Sequence, residues 1–254
     1  MRKLLLFLSV LLLLGSCVSL KKVKYIQDIA SSEQTDSTYY QAKAPDYKIQ
    51  PGDHLHIDVK NIDPKSMNPF QSNTNVNIQT QSEAGVYLNS YQVSDSGNID
   101  FPLVGKVDVA GKTVFEVQSN LQQIVNEFFQ LTTVSVKLIN FRISLLGEVE
   151  RPGTYMVYQN QLNVFQAISM GGDLTNYANR KEVNIIRKTD KGTSVHKINL
   201  LSSELLNSPV YYLQPGDIVY VEPLSGKNFT FTAFPYAILF SVISTTLLIL
   251  NFVK

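Results

Sequence analysis

The chain has 254 residues, of which 44% are hydrophobic and 17% charged, a composition that favours a folded core over a disordered chain. The net charge is +1, and loss of Arg2 and Lys3 with residues 1–16 leaves 20 basic residues against 21 acidic ones. A nucleic-acid-binding protein is therefore excluded, because no overall basic field remains. The single cysteine excludes an internal disulfide and a Cys-based zinc site.

The N-terminus has the pattern of a bacterial lipoprotein signal. A basic head precedes an apolar run from Leu4 to Leu14, which is too short for a transmembrane helix of about 20 residues. The next residues, Gly15-Ser16-Cys17, resemble the end of a lipobox, in which the cysteine thiol is lipidated before cleavage. We expect residues 1–16 to be a signal peptide and Cys17 to carry the lipid. The alternative is an ordinary signal peptide followed by a chance cysteine.

Residues 17–46 are expected to be the lipidated N-terminus and a flexible tether. Most of this segment from residue 28 onward is rich in Ser, Thr, Gln and Asp and has no apolar periodicity.

The middle of the chain predicts a first α+β module over residues 47–140. Leu55, Ile57 and Val59 alternate with polar residues, which indicates a half-buried strand. Thr113 and Glu116 have the spacing of a capping box at a helix start. The apolar face of that helix is expected to include these residues: Val117, Leu121, Ile124 and Phe128.

A second β-rich module is predicted over residues 141–225. Phe141–Val149 is an apolar strand, and Val164, Phe165 and Ile168 mark a short helix that Gly171-Gly172 ends. Strands around one short helix indicate a β-grasp-like plan. The predicted fold class is therefore α+β, with two small β-rich modules followed by a single C-terminal helix.

Turn signals recur at positions that frame both modules. Tyr47-Lys48-Ile49-Gln50-Pro51-Gly52-Asp53 has a counterpart in Tyr212-Leu213-Gln214-Pro215-Gly216-Asp217, about 164 residues later, which suggests related modules. The predicted structural turn residues are Pro51, Gly52, Asp53, Arg151, Pro152, Gly153, Gly171, Gly172, Pro215, Gly216 and Asp217.

The C-terminus carries no charged residue from Asn228 to Val253, which predicts a transmembrane helix over 229–253. A C-terminal core helix is the alternative. Several copies would be needed to enclose a pore, because one helix encloses nothing. Small and hydroxyl side chains on one face suit helix packing in lipid or a wet pore, and these are Thr230, Ala237, Ser241, Ser244 and Thr245.

The ordered set of motifs resembles a known family. Residues 45–140, with Gln50-Pro51-Gly52-Asp53, resemble the polysaccharide export domain of Wza-type outer-membrane exporters. Residues 141–223, with Arg151-Pro152-Gly153 and Pro215-Gly216-Asp217, resemble the soluble-ligand-binding β-grasp (SLBB) domain of the same family.

This resemblance implies an outer-membrane lipoprotein of a Gram-negative bacterium with its body in the periplasm. It implies a homo-oligomeric ring, an octamer in the best-known members, whose C-terminal helices form a channel for capsular polysaccharide or exopolysaccharide. An inner-membrane polysaccharide co-polymerase, often a tyrosine autokinase, would be the partner. Only one β-grasp module is evident, and the C-terminal helix is less amphipathic than a water-filled helical barrel requires.

Two other function classes remain open. One is a periplasmic sugar-binding or scaffolding lipoprotein that docks onto a separate outer-membrane barrel. The other is an enzyme acting on the polymer, which needs two carboxylates at a fixed separation. The available aspartates are Asp53, Asp58, Asp63, Asp95, Asp100, Asp108 and Asp217.

No catalytic residue, cofactor or metal is expected, and the chain is interpreted as a non-enzyme. His54 and His56 share one strand face but have no evident third ligand beyond Asp58, so we interpret them as exposed histidines. His196, alone in a predicted strand, receives the same interpretation.

Overall fold

The computed structural model describes residues 24–28, 40, 44, 46–61, 83–129, 131–189, 191–225 and 236–252. Within these residues the chain is α+β, and each of two β-rich modules has its own hydrophobic core. The predictions at residues 1–16, Cys17, Asp63 and Thr230 lie outside the described residues.

The first module combines short strands with two helices. Its elements are β1 (His54–Asn61), α1 (Glu83–Leu88), β2 (Tyr91–Gln92), β3 (Asn98–Phe101), β4 (Gly105–Asp108), α2 (Val114–Phe128) and β5 (Thr132–Leu138). An antiparallel sheet has the order β2-β1-β5, and β3 and β4 form a separate pair. The predicted alternation in β1 is confirmed, since Leu55, Ile57 and Val59 are buried.

Helix α2 begins at the predicted capping box. The Glu116 backbone N–H donates to the Thr113 hydroxyl at 3.2 Å, and the Thr113 backbone N–H donates to the Glu116 carboxylate at 2.7 Å. That second hydrogen bond holds the pKa of the Glu116 carboxyl below its usual value. Both exposed N–H groups at the helix start are thereby satisfied, as the sequence predicted.

The buried face of α2 differs in part from the predicted one. Val117, Leu121 and Val125 are buried, whereas Phe128 is 53% exposed. The prediction for Phe128 was wrong although its spacing places it on the same face as Val117 and Leu121. Phe128 is the last residue of the helix and lies beyond Val125, the last buried position.

Two glutamine side chains of α2 accept hydrogen bonds from backbone N–H groups at the outer edge of the sheet. The Gln122 amide oxygen accepts from the Val134 backbone N–H at 2.8 Å, and the Gln118 amide oxygen accepts from Val136 N–H at 3.3 Å. Strand β5 lies at the edge of its sheet, so these N–H groups have no strand partner. The helix therefore satisfies an edge that would otherwise be open to another strand.

The second module is built on a five-stranded mixed sheet. Its elements are β6 (Arg142–Gly147), β7 (Gly153–Met156), β8 (Leu162–Asn163), α3 (Val164–Met170), β9 (Ala178–Thr189), β10 (Gly192–Ile198), a 3-10 helix (Ser203–Asn207), β11 (Tyr212–Leu213) and β12 (Ile218–Pro223). The sheet order is β10-β9-β12-β6-β7, and β11 pairs with β8. Strands β12 and β6 run parallel, while the other pairs are antiparallel.

The short helix α3 lies in the core of the second module. Asn163 is its N-cap, and its side chain accepts from the Gln166 N–H at 2.9 Å. Val164, Ala167 and Ile168 are buried, and the helix ends at Gly171 as predicted. A side chain at Gly171 would collide with Val149 and Leu145, so the close approach of helix and sheet requires glycine there.

The described residues of the N-terminal segment are hydrogen-bonded to the second module. The backbone N–H groups of Ile26 and Gln27 donate to the carbonyls of Leu200 and Leu201 at 3.2 and 2.8 Å. The Asp28 carboxylate accepts from the backbone N–H of Ser203 at 2.8 Å, which lowers the pKa of that carboxyl. Residues 24–28 lie within the segment 17–46 that is expected to form the lipidated N-terminus and tether, and they have specific partners on the second module.

The C-terminal helix α4 spans Tyr236–Phe252, which is 17 residues rather than the 25 predicted over 229–253. No helix in the described part of the chain is both long enough and apolar enough to cross a membrane. The rest of the predicted segment, residues 229–235 and 253, lies outside the described residues.

Gly147 is a position where this fold requires glycine for two separate reasons. Its φ is +85°, and an added Cβ would overlap the Val221 carbonyl oxygen of the neighbouring strand β12. Gly105 has nearly the same φ, +83°, but open space around the Cβ position.

We predict that Gly147→Ala destabilises the protein much more than Gly105→Ala. The backbone conformation costs about 1–2 kcal/mol in both variants, and the overlap adds about 1–3 kcal/mol only at position 147. Urea unfolding followed by circular dichroism measures the difference. Equal losses in the two variants would contradict the close packing of β6 against β12.

Candidate functional site

The first Pro-Gly-Asp turn is organised by its own aspartate. The Asp53 backbone N–H donates to the Gln50 carbonyl at 3.1 Å, and the Gln50 N–H donates to the Asp53 carboxylate at 2.8 Å. Gly52 has φ +89°, which the third position of a type II turn requires. Asp53 is only 5% exposed, so its carboxylate acts within the turn rather than in solvent.

The second turn repeats this geometry in the other module. The Asp217 N–H donates to the Gln214 carbonyl at 3.1 Å, and the Gln214 N–H donates to the Asp217 carboxylate at 2.8 Å. Gly216 has φ +85°, and Asp217 is 1% exposed. The recurrence in the sequence thus corresponds to two turns with the same hydrogen bonds.

The two buried carboxylates have different further partners. Asp53 accepts from the Tyr47 hydroxyl at 2.9 Å and from the Asn140 side-chain amide at 3.1 Å, both uncharged donors. Burial, with the adjacent Asp53 carboxylate, raises the pKa of Tyr47 above its ordinary value. Asp217 instead forms a bidentate pair with Arg187, at 2.9 Å from Nε and 2.7 Å from a terminal nitrogen.

Both turns are bonded to the short connection between the modules. Besides its bond to Asp53, the Asn140 side chain accepts from the His54 N–H at 3.2 Å. On the other side, the Gly216 N–H donates to the Arg142 carbonyl at 2.8 Å. Leu138 packs against the cores of both modules. The connection is therefore held by hydrogen bonds and by apolar contact at once.

A cleft of about 380 Å³ lies where these features meet, and we call it the intermodule cleft. Aromatic and amide side chains make up much of its walls, and Asp46 is the one charged residue among the described residues that line it. The lining residues are Ala44, Asp46, Tyr47, Thr113, Val114, Phe115, Leu138, Phe141, Gln159, Asn160, Gln161, Tyr212, Leu213, Gln214 and Pro215.

A row of aromatic rings extends from this cleft to the N-terminal segment. Tyr212 contacts Tyr211 with ring centroids 5.1 Å apart, Tyr211 contacts Phe165 at 6.3 Å, and Phe165 contacts Tyr25 at 5.6 Å. All three contacts are edge-to-face, a preferred geometry for aromatic pairs. The Tyr25 hydroxyl donates to Asp173 at 2.5 Å, and burial is the main cause that raises the pKa of Tyr25.

The remaining predicted turn residues of the second module lie together, away from the cleft lining. The Arg151 backbone N–H donates to the Gly171 carbonyl at 2.9 Å, and the Arg151 guanidinium donates to the Met170 carbonyl at 3.4 Å. The turn at 151–153 therefore contacts the end of helix α3 and Gly172. These bonds give the segment a packing role.

The predicted exposed histidines are half-buried, so that interpretation was wrong. The His54 ring lies 4.5 Å from the Tyr87 ring, and its Nδ1 is 3.1 Å from the Ser90 hydroxyl. His196 Nε2 is 3.2 Å from the Ser194 hydroxyl. Across the described ranges, no group of three or more His, Cys, Asp or Glu residues is arranged to hold a metal.

The small-residue face of α4 has its hydroxyl donors satisfied within the helix. Ser241, Ser244 and Thr245 donate to the carbonyls of Ile238, Phe240 and Ser241 at 2.8, 2.8 and 2.7 Å. Ala237 lies on the same helix and is exposed. Internal hydrogen bonds of this kind allow the face to pack against another helix without leaving a donor unpaired.

Sequence reasoning missed Asn140, Arg187 and the amide run at 159–161. Arg187 lies in strand β9, and its pairing with Asp217 depends on which strands are neighbours. Asn140 bonds to a residue 87 positions away, and no local pattern marks it. The run of three amides at 159–161 is the signal that the sequence offers for the cleft wall.

Comparison with known proteins gives consistent matches for both modules. Residues 41–139 match the family described as polysaccharide biosynthesis/export protein, and residues 142–221 match the SLBB domain. The chain is 27% identical over 199 residues to the EPS I polysaccharide export outer membrane protein EpsA of Ralstonia nicotianae, covering 76% of this chain and 51% of that protein.

The protein of the same name from Ralstonia solanacearum is 28% identical over 197 residues, covering 75% of this chain and 52% of that protein. The chain thus spans about half the length of the curated relatives it matches.

We predict unequal costs for neutralising the two buried carboxylates. Asp217→Asn leaves the Arg187 guanidinium buried without its charge partner, which costs about 3–5 kcal/mol. Asp53→Asn leaves neutral donors short of one acceptor, which costs about 1–3 kcal/mol.

Urea denaturation at pH 7 measures both losses. Asp100→Asn, an exposed change in β3, is the matched control and should stay within about 0.5 kcal/mol of the parent protein. A larger loss for Asp53→Asn than for Asp217→Asn would contradict this account of the two turns.

Proposed function

Because the chain belongs to the polysaccharide export proteins of the Wza type, we propose that it carries capsular polysaccharide or exopolysaccharide out of the cell at the outer membrane. The observation that carries the proposal is the order of its two modules, an export domain followed directly by an SLBB domain. The names of the two relatives, both export outer membrane proteins, support the same location and cargo.

We propose that Cys17 is lipidated after removal of residues 1–16 and that the body lies in the periplasm. The sequence around Cys17 supports this part of the proposal. Several acyl chains hold a protein durably at a membrane, since each buried CH₂ contributes about 0.8 kcal/mol.

The proposal includes a homo-oligomeric ring, in which copies of helix α4 pack together. The support is the exposure of this helix, on which Ile238, Leu248 and Phe252 are 62%, 70% and 94% exposed. So continuous an apolar surface favours association, because its removal from water is favourable. The internally bonded face at Ser241 and Ser244 suits close helix contact.

Transport, and not catalysis, is the role proposed for this subunit. The export family is a family of transport proteins. Asp53 and Asp217, the most buried of the aspartates considered for catalysis, are engaged in turns and in bonds to Tyr47 and Arg187. An inner-membrane polysaccharide co-polymerase or tyrosine autokinase is the proposed partner, and polymer synthesis would supply the energy.

We predict that deleting the gene for this chain abolishes surface polysaccharide and leaves polymer inside the cell. Export stops because the hydrated chain has no other path through the outer membrane. Hexose assays on washed cells, culture medium and cell lysate measure the distribution. Re-expression of the full chain, and separately of Asp100→Asn, should restore export. Unchanged surface polysaccharide in the deletion strain would overturn the proposal.

A second measurement separates a ring from a docking lipoprotein. We predict that the purified full-length protein in detergent forms rings with a central hole, because exposed apolar helices from several copies must pack together. Negative-stain images and native mass spectrometry give the symmetry and subunit number. Monomers without any ring would instead favour a scaffolding lipoprotein that needs another outer-membrane protein.

A further inference from the structure

We propose that the intermodule cleft is a binding site for a short, uncharged stretch of the exported glycan. This inference rests on the proposed function and adds to it a site, a ligand class and the residues that contact the ligand. Phe115 and Tyr212 would provide stacking surfaces, and the amides of Gln159, Asn160 and Gln161 would bond to sugar hydroxyls. The argument uses the position, exposure and charge of these side chains.

An exposed aromatic ring forms one wall of the cleft. Phe115 lies in the first turn of α2 and is 75% exposed, which is costly for so large an apolar side chain. Tyr212, in β11 of the other module, lines the same cleft and is itself held by its edge-to-face contact with Tyr211. One face of a pyranose ring presents C–H groups, so it packs well on aromatic rings of this kind.

Three consecutive amides form another wall. Gln159, Asn160 and Gln161 lie exposed between strands β7 and β8, and all three line the cleft. Each amide offers two donors and one acceptor oxygen, which matches hydroxyl groups that both donate and accept. The Asp46 carboxylate adds an acceptor for further hydroxyls.

The charge of the residues that line the intermodule cleft favours neutral ligands over anionic ones. Among the described residues that line the cleft there is one carboxylate and no lysine or arginine. A phosphate or uronate group would meet the Asp46 carboxylate with no cation among the described lining residues, so an anionic ligand is disfavoured. A neutral, hydroxyl-rich ligand meets no such penalty.

The size of the cleft limits the length of glycan that it holds. Its volume of about 380 Å³ is at the lower end of the range of small-ligand pockets, about 300–1,000 Å³. A few sugar units fit, and a longer chain would continue into solvent. Because the walls come from both modules, a bound glycan would contact α2 on one side and the second Pro-Gly-Asp turn on the other.

The absence of tryptophan from the chain allows a specific fluorescent test. Phe115→Trp places the single indole in the cleft, and Phe128→Trp places it at the other end of the same helix, outside the lining, at a site also exposed. The probe is a set of tetra- to octasaccharides made by partial acid hydrolysis of the polysaccharide that the host strain secretes. Anion exchange separates the set into neutral and acidic fractions.

We expect the neutral fraction to cause a saturable change in emission from full-length Phe115→Trp and no change from Phe128→Trp. In isothermal titration, Phe115→Ala should weaken binding about fivefold, the loss of one aromatic contact, and Phe128→Ala should leave it unchanged. A silent Phe115→Trp reporter at millimolar oligosaccharide, equal changes at both positions, or tighter binding of the acidic fraction would overturn the inference.

The deletion strain keeps the two proposals distinguishable. If deletion blocks export while the Phe115→Trp reporter stays silent, the cleft assignment fails and the export function stands. If the deletion strain exports normally, the export function fails whatever the cleft binds. Circular dichroism of each variant checks its folding, which substitutions at two exposed phenylalanines should preserve.

Discussion

The fold depends on two buried carboxylates, each of which shapes a turn that bonds to the connection between the modules. Burying a carboxylate is unfavourable unless its oxygens are fully bonded. Asp53 meets this requirement with neutral donors, and Asp217 meets it with a guanidinium. Because the two turns bond to Asn140 and to the Arg142 carbonyl, they hold both ends of the same short connection. The walls of the intermodule cleft are positioned as a result.

The sequence was informative wherever the interacting groups are close in the chain. The aspartates in both turns, the capping box at Thr113 and the end of helix α3 at Gly171 each involve residues within about four positions. The partners that complete the site are distant: Asn140 is 87 positions from Asp53, and Arg187 is 30 from Asp217. Such pairs follow from strand order, which turn chemistry and periodicity do not determine.

The expectations that failed were based on composition or spacing alone. The structure of these segments is determined by specific contacts. Asp28 begins the polar stretch that was interpreted as a tether, yet its carboxylate accepts bonds from the Ser203 N–H and from two hydroxyls. Phe128 was assigned to the core by spacing, yet it is the last residue of its helix and lies beyond Val125, the last buried position.

The N-terminal segment that is bonded to the second module limits the distance between that module and a lipid anchor at Cys17. Only seven peptide steps separate Cys17 from Lys24, and a fully extended chain covers at most about 25 Å over that number. If Cys17 carries an acyl group, the second module can lie no farther than this distance from the lipid surface. The length of the polar stretch after Asp28 does not change this limit.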